Sequence, residues 1–105
     1  MKLYSLDNVL IKETNYVPID FTGIVESSDG TKEWWVCGQW HRLDGPAVEY
    51  EDGSKKWRIN GKLHRINGPA VEWQDGNRFW YVDGTQITEL QCKLLYDLMK
   101  LKGLL

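Results

Sequence analysis

Two His-Arg pairs are the residues of this chain whose chemistry and spacing first suggest a functional site. His41-Arg42 and His64-Arg65 stand 23 residues apart, and each pair is followed by a short Gly-Pro turn. Imidazole groups serve as general bases and metal ligands, and guanidinium groups bind carboxylates and phosphates through two parallel hydrogen bonds. The pairs could therefore belong to an active site, a metal site or an anion-binding ridge.

Neither histidine has the companions that catalysis or metal binding requires. Cys37 and His41 have a spacing that could join a metal site, but the second copy has Asn60 where the first has Cys37. No serine or cysteine nucleophile recurs beside either histidine, and the sequence offers no paired carboxylates and no phosphate-binding loop. We expect a protein that is not an enzyme, with no catalytic residue, no metal site and no cofactor.

Two interpretations of the His-Arg pairs stay open. A residue that is kept in tandem copies usually serves the architecture, so His and Arg would hydrogen-bond the neighbouring turn, with Arg42 near Asp44. Alternatively, the pairs form an exposed ridge that meets an anionic partner.

The pairs belong to a tandem repeat. Residues 29–51 read DGTKEWWVCGQWHRLDGPAVEYE, and residues 52–74 read DGSKKWRINGKLHRINGPAVEWQ. A third copy begins at Asp75 and departs after Gly84, and residues 22–30 read TGIVESSDG, a worn version of PAVEYEDG. Self-similarity at a fixed period indicates stacked supersecondary units, so we expect hairpin repeats over 29–84.

The composition fits one domain over residues 1–105. The formal net charge is -2 and there is no basic run, which argues against a general nucleic-acid binder. The chain has no long apolar run and no signal-like start, so we expect a soluble, cytoplasmic protein that does not bind membranes. Six Trp and five Tyr are the anomaly, because aromatic side chains serve both small cores and binding surfaces.

The Asp-Gly step that opens each copy predicts a hairpin. Asp-Gly between alternating apolar runs favours a two-residue type I′ turn, which needs positive φ at both central residues. Counting outward from two-residue loops places a valine opposite a tryptophan in all three hairpins. The pairs are Val25–Trp34, Val48–Trp57 and Val71–Trp80. We expect this ladder to form the core face of the sheet. The same face would carry Tyr50, Trp73, Val36, Ile59 and Val82.

The opposite face is predicted to carry the residues in which the copies differ. The same register places Trp35, Arg58 and Tyr81 in one row. Ala47 and Ala70 would lie between them and floor two shallow grooves. Arg58 could simply fold over alanine and stack on its neighbours, or the row could contact a ligand. The candidate partner-binding residues are Trp35, Arg58, Phe79, Tyr81, Trp40, His41, Arg42, His64 and Arg65.

Residues 1–28 are expected to cap the first repeat. They contain two apolar runs, from Asn8 to Lys12 and from Asp20 to Glu26, which we interpret as strands. Pro18 separates the runs because proline cannot donate a ladder hydrogen bond.

The C-terminal segment, residues 86–103, changes to a helical period. Thr88 to Gln91 form a capping-box pattern, and Gly103 is a stop signal. The helix would have two apolar sectors, which is more than docking on one sheet requires. The sectors are Leu90, Leu94, Leu98 and Leu101, and Cys92, Leu95, Tyr96 and Met99. We expect one sector to cover the sheet and the other to pack on a target or on a second copy, as a homodimer.

The block HRxDGPAVE over 41–49, which returns as HRxNGPAVE over 64–72, carries a family resemblance. It resembles the HRxDGPA repeat of small bacteriophage and giant-virus proteins, which are similar to MORN-variant repeats. The resemblance covers 29–84 and implies a mainly β fold: an antiparallel β-hairpin repeat meander with one C-terminal α-helix.

The resemblance also implies a non-enzymatic binding module of phage or bacterial type. We expect an inhibitor that blocks a host defence protein by protein–protein contact, acting in the host cytoplasm if the chain is viral. Three alternatives stay open. The chain could be a sponge that sequesters a nucleotide-type signalling molecule, an antitoxin or immunity protein, or a structural repeat within a larger assembly.

Overall fold

An antiparallel sheet runs through the chain, and a helix lies at its C-terminal end in the computed structural model, which describes residues 1–105. The strands are β1 (Lys2–Tyr4), β2 (Leu10–Glu13), β3 (Gly23–Glu26), β4 (Lys32–Val36), β5 (Gln39–Trp40), β6 (Val48–Glu49), β7 (Lys55–Lys56), β8 (Arg58–Ile59), β9 (Lys62–Leu63), β10 (Val71–Glu72), β11 (Arg78–Val82) and β12 (Thr85–Ile87). The helix is α1 (Glu89–Leu101). The predicted fold class, a β-hairpin meander with a C-terminal helix, is confirmed.

The strand order follows the repeat. The large sheet reads β12-β11-β10-β7-β6-β4-β3-β1-β2, with β5 paired to β4, and β8 and β9 form a separate hairpin. The N-terminal runs do form β2 and β3, but the strand β1 between them was not predicted. Leu3 of β1 lies opposite Val25 and is buried, so the first residues of the chain complete the core.

The type I′ turns lie elsewhere in the repeat than predicted. They are at Cys37-Gly38, Asn60-Gly61 and Asp83-Gly84, where the first residue has φ 49° and the glycine has φ between 79° and 82° in every copy. These two-residue loops join β4 to β5, β8 to β9 and β11 to β12.

The Asp-Gly steps form a different, longer turn. Gly30 has φ 88° but Asp29 does not have positive φ, and the N–H of Gly30 donates to the carbonyl of Ser27 at 3.1 Å. The Asp29 carboxylate accepts the N–H of Thr31 at 2.9 Å, which holds the turn from its side chain. This is a three-residue hairpin loop, in which only the glycine needs a left-handed conformation.

The extra loop residue shifts the register, so the predicted Val–Trp ladder is wrong. Val25 lies opposite Glu33, Val48 opposite Lys56, and Val71 opposite Phe79. Since a one-residue slip moves a side chain to the other face, the valines and the repeat tryptophans lie on opposite sides of the sheet. We call the side of Trp34, Trp57 and Trp80 the helix side, because α1 packs there, and the other side the open side.

The predicted alanine-floored grooves are also wrong. The carbonyls of Ala47 and Ala70 accept the backbone N–H groups of Trp34 and Trp57, both at 2.8 Å, and neither alanine is exposed. They are part of the core, not the floor of a surface groove. The buried apolar residues are Leu3, Ile24, Val25, Ala47, Val48, Ala70, Val71 and Cys92.

The helix begins and ends where its sequence signals predict. The Thr88 hydroxyl accepts the N–H of Gln91, and the Gln91 side chain accepts the N–H of Thr88 at 2.8 Å, which completes the capping box. Gly103, with φ 72°, follows the last turn. The helix is shorter than the predicted segment because Thr85–Ile87 form β12. No helix of the chain combines the length and apolar character that a membrane span requires.

Candidate functional site

The two repeat histidines join successive copies. Nδ1 of His41 accepts the backbone N–H of Asn60 at 3.0 Å, and Nδ1 of His64 accepts that of Asp83 at 3.0 Å. In each case the donor is the left-handed residue of the next type I′ turn. The first turn has no preceding histidine, and there the hydroxyl of Thr22 accepts the N–H of Cys37 at 2.9 Å. The histidines therefore satisfy turn amides between copies.

Arg42 is held by its own loop. Its guanidinium lies over the Trp34 ring, 3.9 Å from the centroid, and its Nε donates to Asp44 at 3.1 Å. Its Nη1 donates to the carbonyl of Pro46 at 3.1 Å and lies 3.6 Å from Glu49. The predicted contact between Arg42 and Asp44 is confirmed.

Arg65 repeats this arrangement in the second copy. Its guanidinium lies 3.8 Å from the Trp57 centroid, and its Nε donates to Asn67 at 3.2 Å. Its Nη1 donates at 3.0 Å to both the carbonyl of Pro69 and the carboxylate of Glu72. Nε and Nη1 of both arginines are thus engaged within the repeat, and carboxylates neutralise both charges.

The helix replaces the arginine in the third copy. Thr88 stands at the position of Arg42 and Arg65, and the hollow beside Trp80 is lined by Cys92 and other residues of α1. The Cys92 thiol donates to the carbonyl of Ile66 at 3.4 Å, and burial raises its pKa. A buried thiol with a raised pKa is a poor nucleophile, so Cys92 packs the helix against the last complete copy.

The open side brings together three of the predicted partner-binding residues. The rings of Trp35 and Trp40 are 5.2 Å apart, and the guanidinium of Arg58 lies 4.9 Å from the Trp40 centroid. Trp40 Nε1 donates to Glu33 at 2.8 Å, and Arg58 donates to the carbonyl of Gly61 at 2.8 Å. A cation and two aromatic rings are therefore fixed on one surface.

A second cluster on the open side was missed by the sequence. Lys56 Nζ lies 5.6 Å from the Tyr50 ring and 5.2 Å from the Trp73 ring, and these two rings are stacked 6.4 Å apart. Phe79 lies on the same side, and Phe79 and Trp73 are the most exposed aromatic residues of the repeats. Tyr50 and Trp73 lie on the side of the buried Val48 and Val71, as predicted, but the register error had placed Lys56 on the other side.

A shallow hollow lies beside the second cluster, lined by Lys56, Trp73 and Phe79 among others. It has a volume of about 270 Å³ and includes Leu63, which pairs with Arg58, together with Tyr81 and Phe79. We call the whole set the aromatic surface. It consists of Trp35, Trp40, Tyr50, Lys56, Arg58, Trp73, Phe79 and Tyr81.

Trp35 carries an unusual feature of this surface. Its Nε1 is buried and has no hydrogen-bond partner. A buried donor without an acceptor costs about 1–3 kcal/mol, which the packing of the Trp35 ring against Trp40 has to offset.

The helix side carries a larger hollow of about 870 Å³ between the loops of the first two copies and the C-terminal end of the chain. Arg42, Arg65 and Trp57 line it, with Tyr96 and Leu105 at the far wall. Its cations are the ones that already bind carboxylates of their own repeat. An anion that entered would compete with those contacts.

The candidate site contains no metal-binding arrangement: no three His, Cys, Asp or Glu side chains lie together as a metal ion would need. No protein-family model, curated protein or solved structure matches this chain.

Proposed function

We propose that this protein is a non-enzymatic binding module that holds a partner protein against its aromatic surface. The observation that supports the proposal is the difference between the residues on the two sides of the sheet. The repeated His and Arg residues are engaged in hydrogen bonds within the chain, whereas the aromatic surface lies on the side without a helix, where Trp73 and Phe79 are exposed and the other residues of the surface are half-buried.

The variation between copies supports this assignment. Trp35, Arg58 and Tyr81 occupy the same position of successive copies, yet each copy has a different side chain there. The His, Arg, Gly, Pro and Ala residues of the HRxDGPA block are identical in the two complete copies. A constant frame that presents variable Trp, Arg and Tyr side chains suits protein recognition, because these three types dominate binding hot spots.

The resemblance of residues 29–84 to the HRxDGPA repeat supports a more specific proposal. We propose that the partner is a host defence protein and that the chain is a phage-type inhibitor acting in the host cytoplasm. An antitoxin or immunity protein would use the same surface, since it also blocks one protein by contact.

A nucleotide-type ligand is the second candidate, and the hollow on the helix side is the observation that favours it. Trp57 could stack a base, and Nη2 of Arg42 and of Arg65 makes no hydrogen bond within the chain. The neighbouring carboxylates weaken this candidate, because they repel the phosphates that such a ligand carries.

Affinity capture from host lysate with three versions of the chain tests the proposal. We expect one stoichiometric partner to bind the parent chain and Lys62→Glu, which changes an exposed lysine away from the aromatic surface. The same partner should be lost with Arg58→Glu, provided that thermal unfolding shows a folded variant. Equal capture by all three chains, or no stoichiometric protein with any, would contradict it. A thermal shift with cyclic oligonucleotides that Arg65→Ala abolishes would favour the nucleotide candidate instead.

A further inference from the structure

The outer side of α1 is an unpartnered leucine stripe. Leu90, Leu94, Leu98 and Leu101 are 65%, 59%, 47% and 85% exposed, while Cys92 on the opposite side of the helix is buried against the sheet. A continuous row of exposed leucines on a folded chain marks an interaction site, because apolar surface of this kind is otherwise covered. The sheet cannot cover it, since the helix already uses its other side for docking.

The charges beside the stripe indicate what covers it. Glu89, Lys93, Asp97 and Lys100 occupy one flank of the helix, next to the leucines, at spacings that keep them on the same side. None of these four residues takes part in an ion pair within the chain. The flank reads acidic, basic, acidic, basic from the start of the helix to its end.

When the order of these charges is read in the opposite direction, each acidic position is matched by a basic one. When two copies of α1 lie antiparallel with their stripes in contact, the two-fold axis places the same flanks side by side. Glu89 then faces Lys100 of the second copy, and Lys93 faces Asp97, and symmetry makes each pair twice. In a parallel two-fold arrangement, the same flanks would lie on opposite sides of the interface, so these charges could not pair with one another.

The leucines fit the same axis. Leu90 then lies beside Leu101 of the second copy, and Leu94 beside Leu98. All four kinds of pair have their midpoint between positions 94 and 96 of the helix. At a rise of about 1.5 Å per residue, the midpoints differ by about 2 Å, which side-chain rotamers absorb.

We propose that the leucine stripe of α1 binds the α1 stripe of a second copy, forming an antiparallel, two-fold homodimer. Because α1 packs on the helix side, the dimer leaves both aromatic surfaces open. This inference does not depend on the proposed partner protein. If both hold, the dimer presents two binding surfaces to the target.

Sedimentation equilibrium of the full chain at several concentrations tests the dimer. We expect the parent chain to form dimers and Leu94→Glu to be monomeric with an unchanged circular dichroism spectrum. Lys62→Glu, which lies outside the stripe, should dimerise like the parent. A parent chain that stays monomeric at about 0.5 mM, or a Leu94→Glu chain that still dimerises, would overturn the proposal, because binding at millimolar concentration is too weak to be specific.

A charge swap tests the antiparallel geometry. Lys93→Glu alone and Asp97→Lys alone each create like-charge pairs and should weaken self-association about tenfold. An equimolar mixture of these two chains should recover the parent's affinity as a heterodimer, because every charge then faces its opposite. The double variant that carries both changes should recover it as a homodimer. If the mixture and the double variant stay as weak as the single variants, the antiparallel pairing is wrong.

Discussion

His41 and Asn60 are joined by a single hydrogen bond that links one copy of the repeat to the next. The imidazole Nδ1 accepts the backbone N–H of Asn60 at 3.0 Å, at the left-handed residue of a type I′ turn. His64 makes the same bond to Asp83. Each histidine therefore stabilises a turn that lies 19 residues further along the chain.

Replacement of these histidines should destabilise the protein. His41→Ala and His64→Ala each remove the acceptor of a turn amide and part of a half-buried side chain, so we expect a loss of about 1–2 kcal/mol in the free energy of unfolding. Urea denaturation measures this. Leu43→Ala is the matched control, because Leu43 lies in the same loop and is 83% exposed. A loss no larger than that of the control would show that the bond contributes nothing.

The repeat arginines should not tolerate lysine. Arg65 stacks on Trp57 and donates to Asn67, Pro69 and Glu72 at once. A lysine ammonium has neither the planar stacking surface nor the fixed fork of donors, so Arg65→Lys should lower the free energy of unfolding by about 1–2 kcal/mol. Arg78→Lys, at an exposed arginine whose ion pair is 3.9 Å long, should change it by less than about 0.5 kcal/mol. Similar effects of the two substitutions would contradict the assigned role of Arg65.

One substitution in the first copy should raise the stability of the protein. Cys37 adopts φ 49° in its type I′ turn, where the other copies have Asn60 and Asp83. Asparagine tolerates the left-handed region better than other residues with a side chain, so Cys37→Asn should raise the free energy of unfolding by about 0.5–1 kcal/mol. Cys37→Ala is the control and should give no such gain. Thermal or urea unfolding of the two variants and the parent chain measures this gain, and a Cys37→Asn chain no more stable than the parent would contradict the prediction.

The turns show how far the sequence predicts the fold and where it stops. The repeat predicted a hairpin meander, and both glycine positions of each copy do form turns. Asp52-Gly53 and Asn60-Gly61 are both good type I′ sequences, however, and local sequence does not say which of them closes the shorter loop. The Asp side chain favours the three-residue loop, because its carboxylate accepts the backbone N–H of the residue two positions later, as Asp52 does from Ser54. Because this loop has one residue more than the predicted two-residue loop, Trp57 and Val48 lie on opposite sides of the sheet.

The candidate site was predicted in part for the same reason. Trp35 and Arg58 were expected in one row, and they do lie on one side, each next to Trp40. The cluster of Tyr50, Lys56 and Trp73 was missed, because the two-residue loop assumed at Asp52-Gly53 placed Lys56 on the face opposite Tyr50 and Trp73, whereas Lys56 lies opposite Val48. The Asn-Gly turn at position 60 was the signal that could have found it. Counting outward from that turn places Arg58 opposite Leu63, as observed.

Cys92 should make the stability of the protein depend on alkaline pH. Burial raises the pKa of its thiol above the ordinary value of 9.0, so the unfolded chain loses this proton first as the pH rises. The stability that the thiol contributes is fully present below the unfolded-state value and is lost as the pH rises through the folded-state value. We therefore expect the free energy of unfolding to fall more steeply in the parent chain than in Cys92→Ala as the pH rises through 9.0 and above.

Cys37→Ala provides the matched control for this pH dependence. It removes the other cysteine, which is exposed, and leaves the buried thiol in place, so its pH slope should equal that of the parent chain. Lysine and tyrosine titrations are common to all three proteins and cancel in the comparison. Urea denaturation at each pH gives the slopes. Equal slopes for the parent and Cys92→Ala would mean that the folded chain ionises this thiol as readily as the unfolded one. The helix would then be packed more loosely around the thiol than its hydrogen bond to the Ile66 carbonyl indicates.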